Sequence, residues 1–392
     1  MKRKRVVVLG ATGSIGESAL KVAHDIPDRM EIVGLAANRN APKLAEQANR
    51  VRPKAICLVD ETALPELRAA LKYEPQILSG AAGLVEIACL AEADMVLVAV
   101  VGTGGLQPAL AAIEAGKDLA VASKEILVMA GEIVMREAEK KGIEVLPVDS
   151  EHNAIFQCLD GRQDAVRRLI LTASGGPFRN TPAAEFEGIT VEQALKHPTW
   201  SMGPKITIDS ATLFNKGLEM IEAHWLFGVE MKRVEVVIHP QSIVHSMVEF
   251  SDASVLAQLS HSDMCFPIQY AVTWPERVSN SLPPLDFGKL RQLEFATPRY
   301  DDFPALNLAR RAGEEGGTLP AVLNAANEVA VSAFLDRKIS FPRIWQTVGA
   351  VMDRHVNVAH PDLDAILRAD QWARAEAAKV GAGKKDETQI RS

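Results

Sequence analysis

Up to residue 149 the chain alternates short apolar runs with amphipathic stretches. Residues 5–9, 31–36, 55–59, 95–100, 118–122 and 144–148 read as buried strands, and residues 14–24 and 42–50 carry apolar positions at helical spacing. Strands separated by helices predict βαβ units and a largely parallel, doubly wound sheet. Ligands of such sheets sit beyond the carboxyl ends of the strands. Residues 1–149 are therefore expected to form a Rossmann-like domain.

The texture then changes. Residues 167–173, 233–239, 242–250 and 255–260 are strand-like, and the Ser251-Asp252-Ala253-Ser254 turn makes the last two antiparallel. Residues 210–227 read as one helix, capped by Asp209 or Ser210 and ended by Gly228. This predicts an α+β catalytic domain over residues 150–285. Inside it, residues 174–204 are rich in Gly, Pro and Thr, with a short helical stretch at 191–196. An irregular segment that long is usually disordered or functional, and here it reads as a lid. A connector over 286–303 leads to helical patterns at 304–314, 319–336, 342–355 and 361–380. These predict a C-terminal four-helix bundle over 304–380, followed by a flexible tail at 381–392.

Composition narrows the classes of function. A chain of 392 residues with 47% hydrophobic and 24% charged content is globular and large enough for two or three domains. A net charge of −7 argues against nucleic acid as a partner. Cys57, Cys89, Cys158 and Cys265 are scattered, with no paired spacing for zinc or a disulfide framework. The basic start Met1-Lys2-Arg3-Lys4-Arg5 is followed by too short an apolar run for a signal peptide. There is no stretch of about 18 apolar residues either, so no membrane partner is expected. A cytoplasmic protein is the expectation.

Three groups of residues carry chemistry. Gly10-Ala11-Thr12-Gly13-Ser14-Ile15-Gly16 follows a strand and opens a helix, the context in which backbone amides cradle a pyrophosphate. The second strand ends at Asn38-Arg39-Asn40 with no acidic residue for a ribose hydroxyl, and Arg39 suits a 2′-phosphate, which favours NADP over NAD. Asp149 and Glu151 stand two apart at a strand end, where one face recurs every second residue. With a third carboxylate they form a hard oxygen site for Mg²⁺ or Mn²⁺. Read otherwise, the pair is a helix start in which Ser150 caps and Glu151 favours the dipole. Glu219 can share a helix face with Asn215 and Lys216. Ser210, Asn215 and Lys216 make a phosphate grip beside it. His239 reads as a buried structural histidine, whereas His197 lies in the lid with Trp200 and Met202.

The ordered motifs GATGSIG (10–16), SKE (123–125), LPVDSEHNAIFQ (146–157), SGGPF (174–178), HPTWSMGPKI (197–206), DSATLFNKGLE (209–219), HPQSIVHSMV (239–248) and LNAANEVAV (323–331) cover essentially the whole chain to about residue 380. In them the chain resembles the 1-deoxy-D-xylulose 5-phosphate reductoisomerase family. That resemblance implies rearrangement of the pentulose phosphate to a branched aldose phosphate, then reduction with NADPH to 2-C-methyl-D-erythritol 4-phosphate. It implies a cation held by Asp149, Glu151 and Glu219, with Lys124 near nicotinamide and substrate. Ser150, Ser174, Ser210, Asn215 and Lys216 would orient the substrate, with His197, Trp200 and Met202 in the lid. Gly10, Thr12, Gly13, Ser14, Ile15, Arg39, Asn40, Ser123, Glu125 and Gly203 would face the cofactor, although Ser123 stands where the family commonly has Asn. A homodimer is implied as well. Two other readings share the glycine-rich start. One is a semialdehyde or homoserine dehydrogenase, of which the semialdehyde type would also need an activated thiol, and Cys158 has no motif for one. A non-catalytic NADP sensor has no use for three carboxylates.

Overall fold

A computed structural model describes residues 3–199 and 202–382. The chain divides into two compact units. One comprises Met1–Ile126, Val134–Phe156 and Asp263–Leu285, and the other Leu127–Ile133, Gln157–Ser262 and Asp286–Ser392.

The first unit holds a seven-stranded parallel sheet: β1 (Lys4–Leu9), β2 (Met30–Ala37), β3 (Ala55–Leu58), β4 (Gln76–Ser79), β5 (Met95–Val98), β6 (Asp118–Val121) and β7 (Val145–Pro147). Their order is β4-β3-β2-β1-β5-β6-β7, so the winding reverses between β1 and β5. That reversal opens a crevice at the strand ends, where the glycine-rich turn lies. The six expected strands are present within a residue or two. The unanticipated β4 is short and only partly buried, so it lacks the apolar run that marks its neighbours.

A further difference concerns residues 263–285, expected in the central domain. The helix Cys265–Thr273 belongs to the first unit, where it packs on the helix Ser14–Asp25. Its buried face, including Cys265, Ile268 and Val272, completes that unit's core.

The second unit is built on β8 (Val166–Ala173), β9 (Val234–Ile238), β10 (Val244–Phe250) and β11 (Val255–Leu259), in the order β11-β10-β8-β9. The turn at 251–254 joins an antiparallel pair as expected, while β8 and β9 run parallel. Parallel neighbours require a long crossover. Here the crossover carries residues 174–233, and with them the loop and the Ser210–Glu219 segment.

The helix expected over 210–227 is two helices, Pro204–Thr212 and Phe214–Phe227, broken at Leu213 with φ of 65°. Asp209 and Ser210 therefore occupy the last turn of the first helix instead of capping the second. Gly228 ends the second in the left-handed region, as its composition predicts. The connector is docked: Ala296 bridges to Ile238, and Phe295 stacks on His239 with ring centroids 4.8 Å apart. The four C-terminal helices are Ala305–Glu315, Leu319–Leu335, Arg343–Arg354 and Leu363–Ala382. Leu319–Leu335 packs against each of the other three. No described helix is long and apolar enough to cross a membrane.

Candidate active site

In the first unit the glycine-rich turn is shaped for close approach. Gly10 has φ of +90°, and a Cβ there would lie 2.2 Å from the Ala99 carbonyl oxygen. Gly13 occupies the N-cap of the helix Ser14–Asp25 with no side-chain cap bond, and Gly13 and Ser14 are exposed. This is the geometry of an anion cradle.

At the end of β2, Arg39 is exposed, and among the described residues its guanidinium makes no hydrogen bond. Asn40 has a structural use: its Oδ1 accepts from the Lys43 amide at 3.2 Å and caps the helix Ala41–Val51.

Ser123 is buried, and its hydroxyl donates inward to the Val100 carbonyl at 2.6 Å. Lys124 follows at the start of the helix Lys124–Lys141, with Glu125 buried beside it. A lysine at a helix N-terminus opposes the dipole. Asp149 offsets this, its Oδ2 lying 2.9 Å from Lys124 Nζ with both side chains nearly buried.

Asp149 and Glu151 are not on a strand face. β7 ends at Pro147 and a helix runs over Ser150–Leu159, so Asp149 precedes that helix and Glu151 sits in its first turn. Asp149 Oδ1 accepts the Glu151 amide at 3.1 Å, and Ser150 Oγ donates to Glu151 Oε2 at 2.8 Å. The capping geometry itself brings the two carboxylates together, joining both readings of this segment. Sequence reasoning passed over His152, fully buried with Nδ1 3.2 Å from Asp149 Oδ1. Its place three residues on, at helical spacing, was the available signal.

In the second unit β8 delivers Ser174 to a turn in which Gly176 has φ of +65°. A Cβ on Gly176 would lie 2.8 Å from the Ser210 carbonyl oxygen, so this backbone packs directly on the last turn of Pro204–Thr212. His197 joins the two: its Nε2 lies 3.1 Å from Ser174 Oγ and 3.0 Å from Ser210 Oγ. Nδ1 accepts from the Thr199 amide at 3.2 Å, which assigns the proton to Nε2. Burial pulls the imidazole below its usual pKa and so favours its neutral form.

In the first turn after Leu213, Asn215 Nδ2 donates to Glu219 Oε1 at 2.5 Å, and Lys216 Nζ bonds the other oxygen. Lys216 and Glu219 are 5% and 1% exposed, so this pair lies well outside the weak surface class. Glu222, three residues on, is fully buried and was also passed over.

His239 is structural. Nδ1 donates to the Glu294 carbonyl while Nε2 accepts from the Ile243 and Val244 amides.

The loop divides into two parts. Phe178 and Phe186 pack edge-to-face with Phe341, at 5.2 and 6.0 Å between centroids, and Phe186 also meets Phe303 and Trp345. The middle of the expected lid is thereby anchored, which shortens the candidate lid to residues 195–203. Leu195 is exposed, Met202 half-buried, and Gly203 caps the following helix. Trp200 lies outside the described residues.

Three of the four thiols are shifted away from nucleophilic work. Burial pushes Cys57 and Cys265 up to about 12 and raises Cys89, while Cys158 is buried.

Residues 6–131 match the 1-deoxy-D-xylulose 5-phosphate reductoisomerase family profile, and residues 145–227 and 259–376 match profiles of C-terminal domains of the same enzyme. The 1-deoxy-D-xylulose 5-phosphate reductoisomerase of Symbiobacterium thermophilum is 54% identical over 381 residues, covering 96% of this chain and 98% of its own. The chain belongs to this reductoisomerase family. The Zymomonas mobilis reductoisomerase, solved with NADPH, superposes with a TM-score of 0.92 at 45% identity, covering 97% of this chain and 100% of its own. A reductoisomerase solved with NADPH, fosmidomycin and magnesium gives 0.91 at 41% identity, covering 96% and 98%. Membership makes the semialdehyde- or homoserine-type dehydrogenase and the non-catalytic NADP sensor the weaker readings.

Proposed function

We propose that the chain rearranges 1-deoxy-D-xylulose 5-phosphate to a branched aldose phosphate and reduces this with NADPH to 2-C-methyl-D-erythritol 4-phosphate. The carrying observation is the cluster of buried Lys216 and Glu219 with half-buried Asn215, at the start of the helix that follows Ser210. It supplies both a cation for a phosphate and a carboxylate for a metal on a single helix.

Both implied groups fit the residues present. The turn at Gly10 leaves no room for a side chain, as a backbone pyrophosphate cradle requires. Asp149, Glu151 and Glu219 offer only carboxylate oxygens, the donor chemistry of Mg²⁺ or Mn²⁺. When bound, the cation stabilises negative charge developing on the substrate's carbonyl and adjacent hydroxyl oxygens. Ser174, Ser210, Asn215 and Lys216 hold the phosphate, and the neutral His197 donates from Nε2 into the same group. Ser150 and Lys124 orient the reacting carbons beside the nicotinamide. Residues 195–203 close over the site and exclude water while the aldehyde awaits hydride. NADPH consumption that depends on both the pentulose phosphate and a divalent cation tests the whole reading; consumption without added metal, after chelation, would overturn it.

Arg39 is assigned to the 2′-phosphate. Arg39→Asp should shift the NADPH/NADH ratio of kcat/KM toward NADH by roughly a hundredfold, the loss of one charged contact plus its replacement by repulsion. An unchanged ratio moves 2′-phosphate recognition to another residue. For the lid, limited proteolysis should cut within 195–203 and spare the aromatic anchor. A phosphonohydroxamate with metal and NADPH should protect the cut site. Equal cutting with and without this ligand reduces the segment to a passive linker. We also assign the chain to the cytoplasm as a homodimer. The free cysteines support the compartment, and light scattering tests the assembly.

A further inference from the structure

The motif LNAANEVAV lies on Leu319–Leu335, a helix buried along most of its length, yet it places two fully buried asparagines there. A buried amide is costly unless it is bonded. Asn324 donates to Glu328 within its own helix, at 3.1 Å. Asn327 instead reaches out: its Nδ2 donates to Asp209 Oδ1 at 2.7 Å. Asp209 is 1% exposed, and its other oxygen lies 2.9 Å from Lys205 Nζ.

Asp209 directly precedes Ser210, in the last turn of a nine-residue helix that ends at the left-handed Leu213. So short a helix has little of its own to fix its roll. With the Asp209 side chain held by the C-terminal bundle, Ser210 is set about 100° further round the same turn. There its hydroxyl meets His197 Nε2 at 3.0 Å. The type of residue at 327 follows from this. A carboxylate needs a donor, and an amide supplies one without adding a charge to a pair that Lys205 already balances. Asn327 Oδ1, by contrast, has no hydrogen-bond partner among the described residues. Packing alone would favour an apolar side chain here.

We infer that Asn327 is a positioning residue for substrate-phosphate binding, acting through Asp209 to aim the Ser210 hydroxyl. The inference rests on the reading of Ser210 as a phosphate ligand.

The test uses the full-length chain with NADPH and the pentulose phosphate. It compares Ser210→Ala, Asn327→Leu, Asn327→Asp and the double variant Asp209→Asn/Asn327→Asp. Asn327→Leu should raise the KM for the sugar phosphate about tenfold, the worth of one bond to a charged group. It should leave kcat and the KM for NADPH unchanged. Asn327→Asp, which sets two carboxylates face to face, should raise that KM further. The double variant should recover much of it, because the amide at 209 donates to the carboxylate at 327 and still accepts from Lys205. A contact that merely supports the fold would lower melting temperature and kcat together and show no such split or rescue. If Asn327→Leu does not fold, Asn327→Gln takes its place with the same KM-only shift expected. If Ser210→Ala leaves the sugar-phosphate KM unchanged, the phosphate reading fails and the inference with it. If Ser210→Ala raises that KM while the folded Asn327 variants do not, the positioning role alone is overturned.

Discussion

Glu219→Gln should lower turnover at least about a thousandfold, because the several kcal/mol that a bound cation contributes to charge stabilisation translate into that factor. The amide keeps the shape of the side chain and removes its charge. Glu219 also accepts from both Asn215 and Lys216 in a buried setting, and a glutamine has one oxygen to offer two donors. A loss of stability of about 1–3 kcal/mol is therefore expected alongside, from the donor left unmet. Two measurements separate these effects. NADPH affinity, read by quenching of its fluorescence, should be unchanged, since the glycine cradle lies in a different part of the chain. Activity should stay low however far the metal concentration is raised below the melting temperature. Asp149→Asn and Glu151→Gln should behave alike toward turnover. Near-normal activity of Glu219→Gln at limiting Mg²⁺ would falsify its role as a ligand.

The parts of this molecule that were legible in its residues are those where one local rule suffices. Six of the seven strands of the large sheet announce themselves by apolar runs. The lysine and asparagine that bond Glu219 follow from spacings of three and four on a helix. The four C-terminal helices follow from periodicity and their Gly and Pro boundaries. What was not legible depends on tertiary context. Nothing in Ser210-Ala211-Thr212-Leu213-Phe214 marks a helix break, for leucine is not a residue expected at φ of 65°. At the break Leu213 and Phe214 are both buried, and the Thr212 hydroxyl bonds back to the Ile208 carbonyl. The apolar residues of Cys265–Thr273 declared burial but not against which unit. Asp149 and Glu151 admit two readings in sequence, alternating positions at a strand end or the start of a helix, because the run before them is apolar. The chain leaves the strand at Pro147 and makes a cap, which serves the same chemistry by another route. The long loop is rich in Gly, Pro and Thr throughout, and only the aromatic contacts with Phe303, Phe341 and Trp345 mark out the part held against the C-terminal helical region.

Gly10→Ala should abolish useful NADPH binding, with affinity falling by roughly a hundredfold or more. Two costs combine at this position. An alanine at φ of +90° is strained by about 1–3 kcal/mol. Its Cβ would also overlap the Ala99 carbonyl oxygen at 2.2 Å, and that obstacle is backbone at the end of β5, which no rotamer change relieves. The turn must therefore shift away from β5, carrying Thr12, Gly13 and the first amides of Ser14–Asp25 off the pyrophosphate. Gly13→Ala is the matched control. Gly13 has φ of −82°, open to any residue, and its added Cβ would find only the Gly10 carbonyl oxygen at 3.4 Å. That variant should fold as the parent does and lose affinity only as far as a methyl group crowds the phosphates. Binding of the phosphonohydroxamate with metal but without NADPH should survive in both, since its assigned contacts involve neither glycine. Gly10→Ala binding NADPH as tightly as Gly13→Ala would show that the cofactor does not depend on this turn.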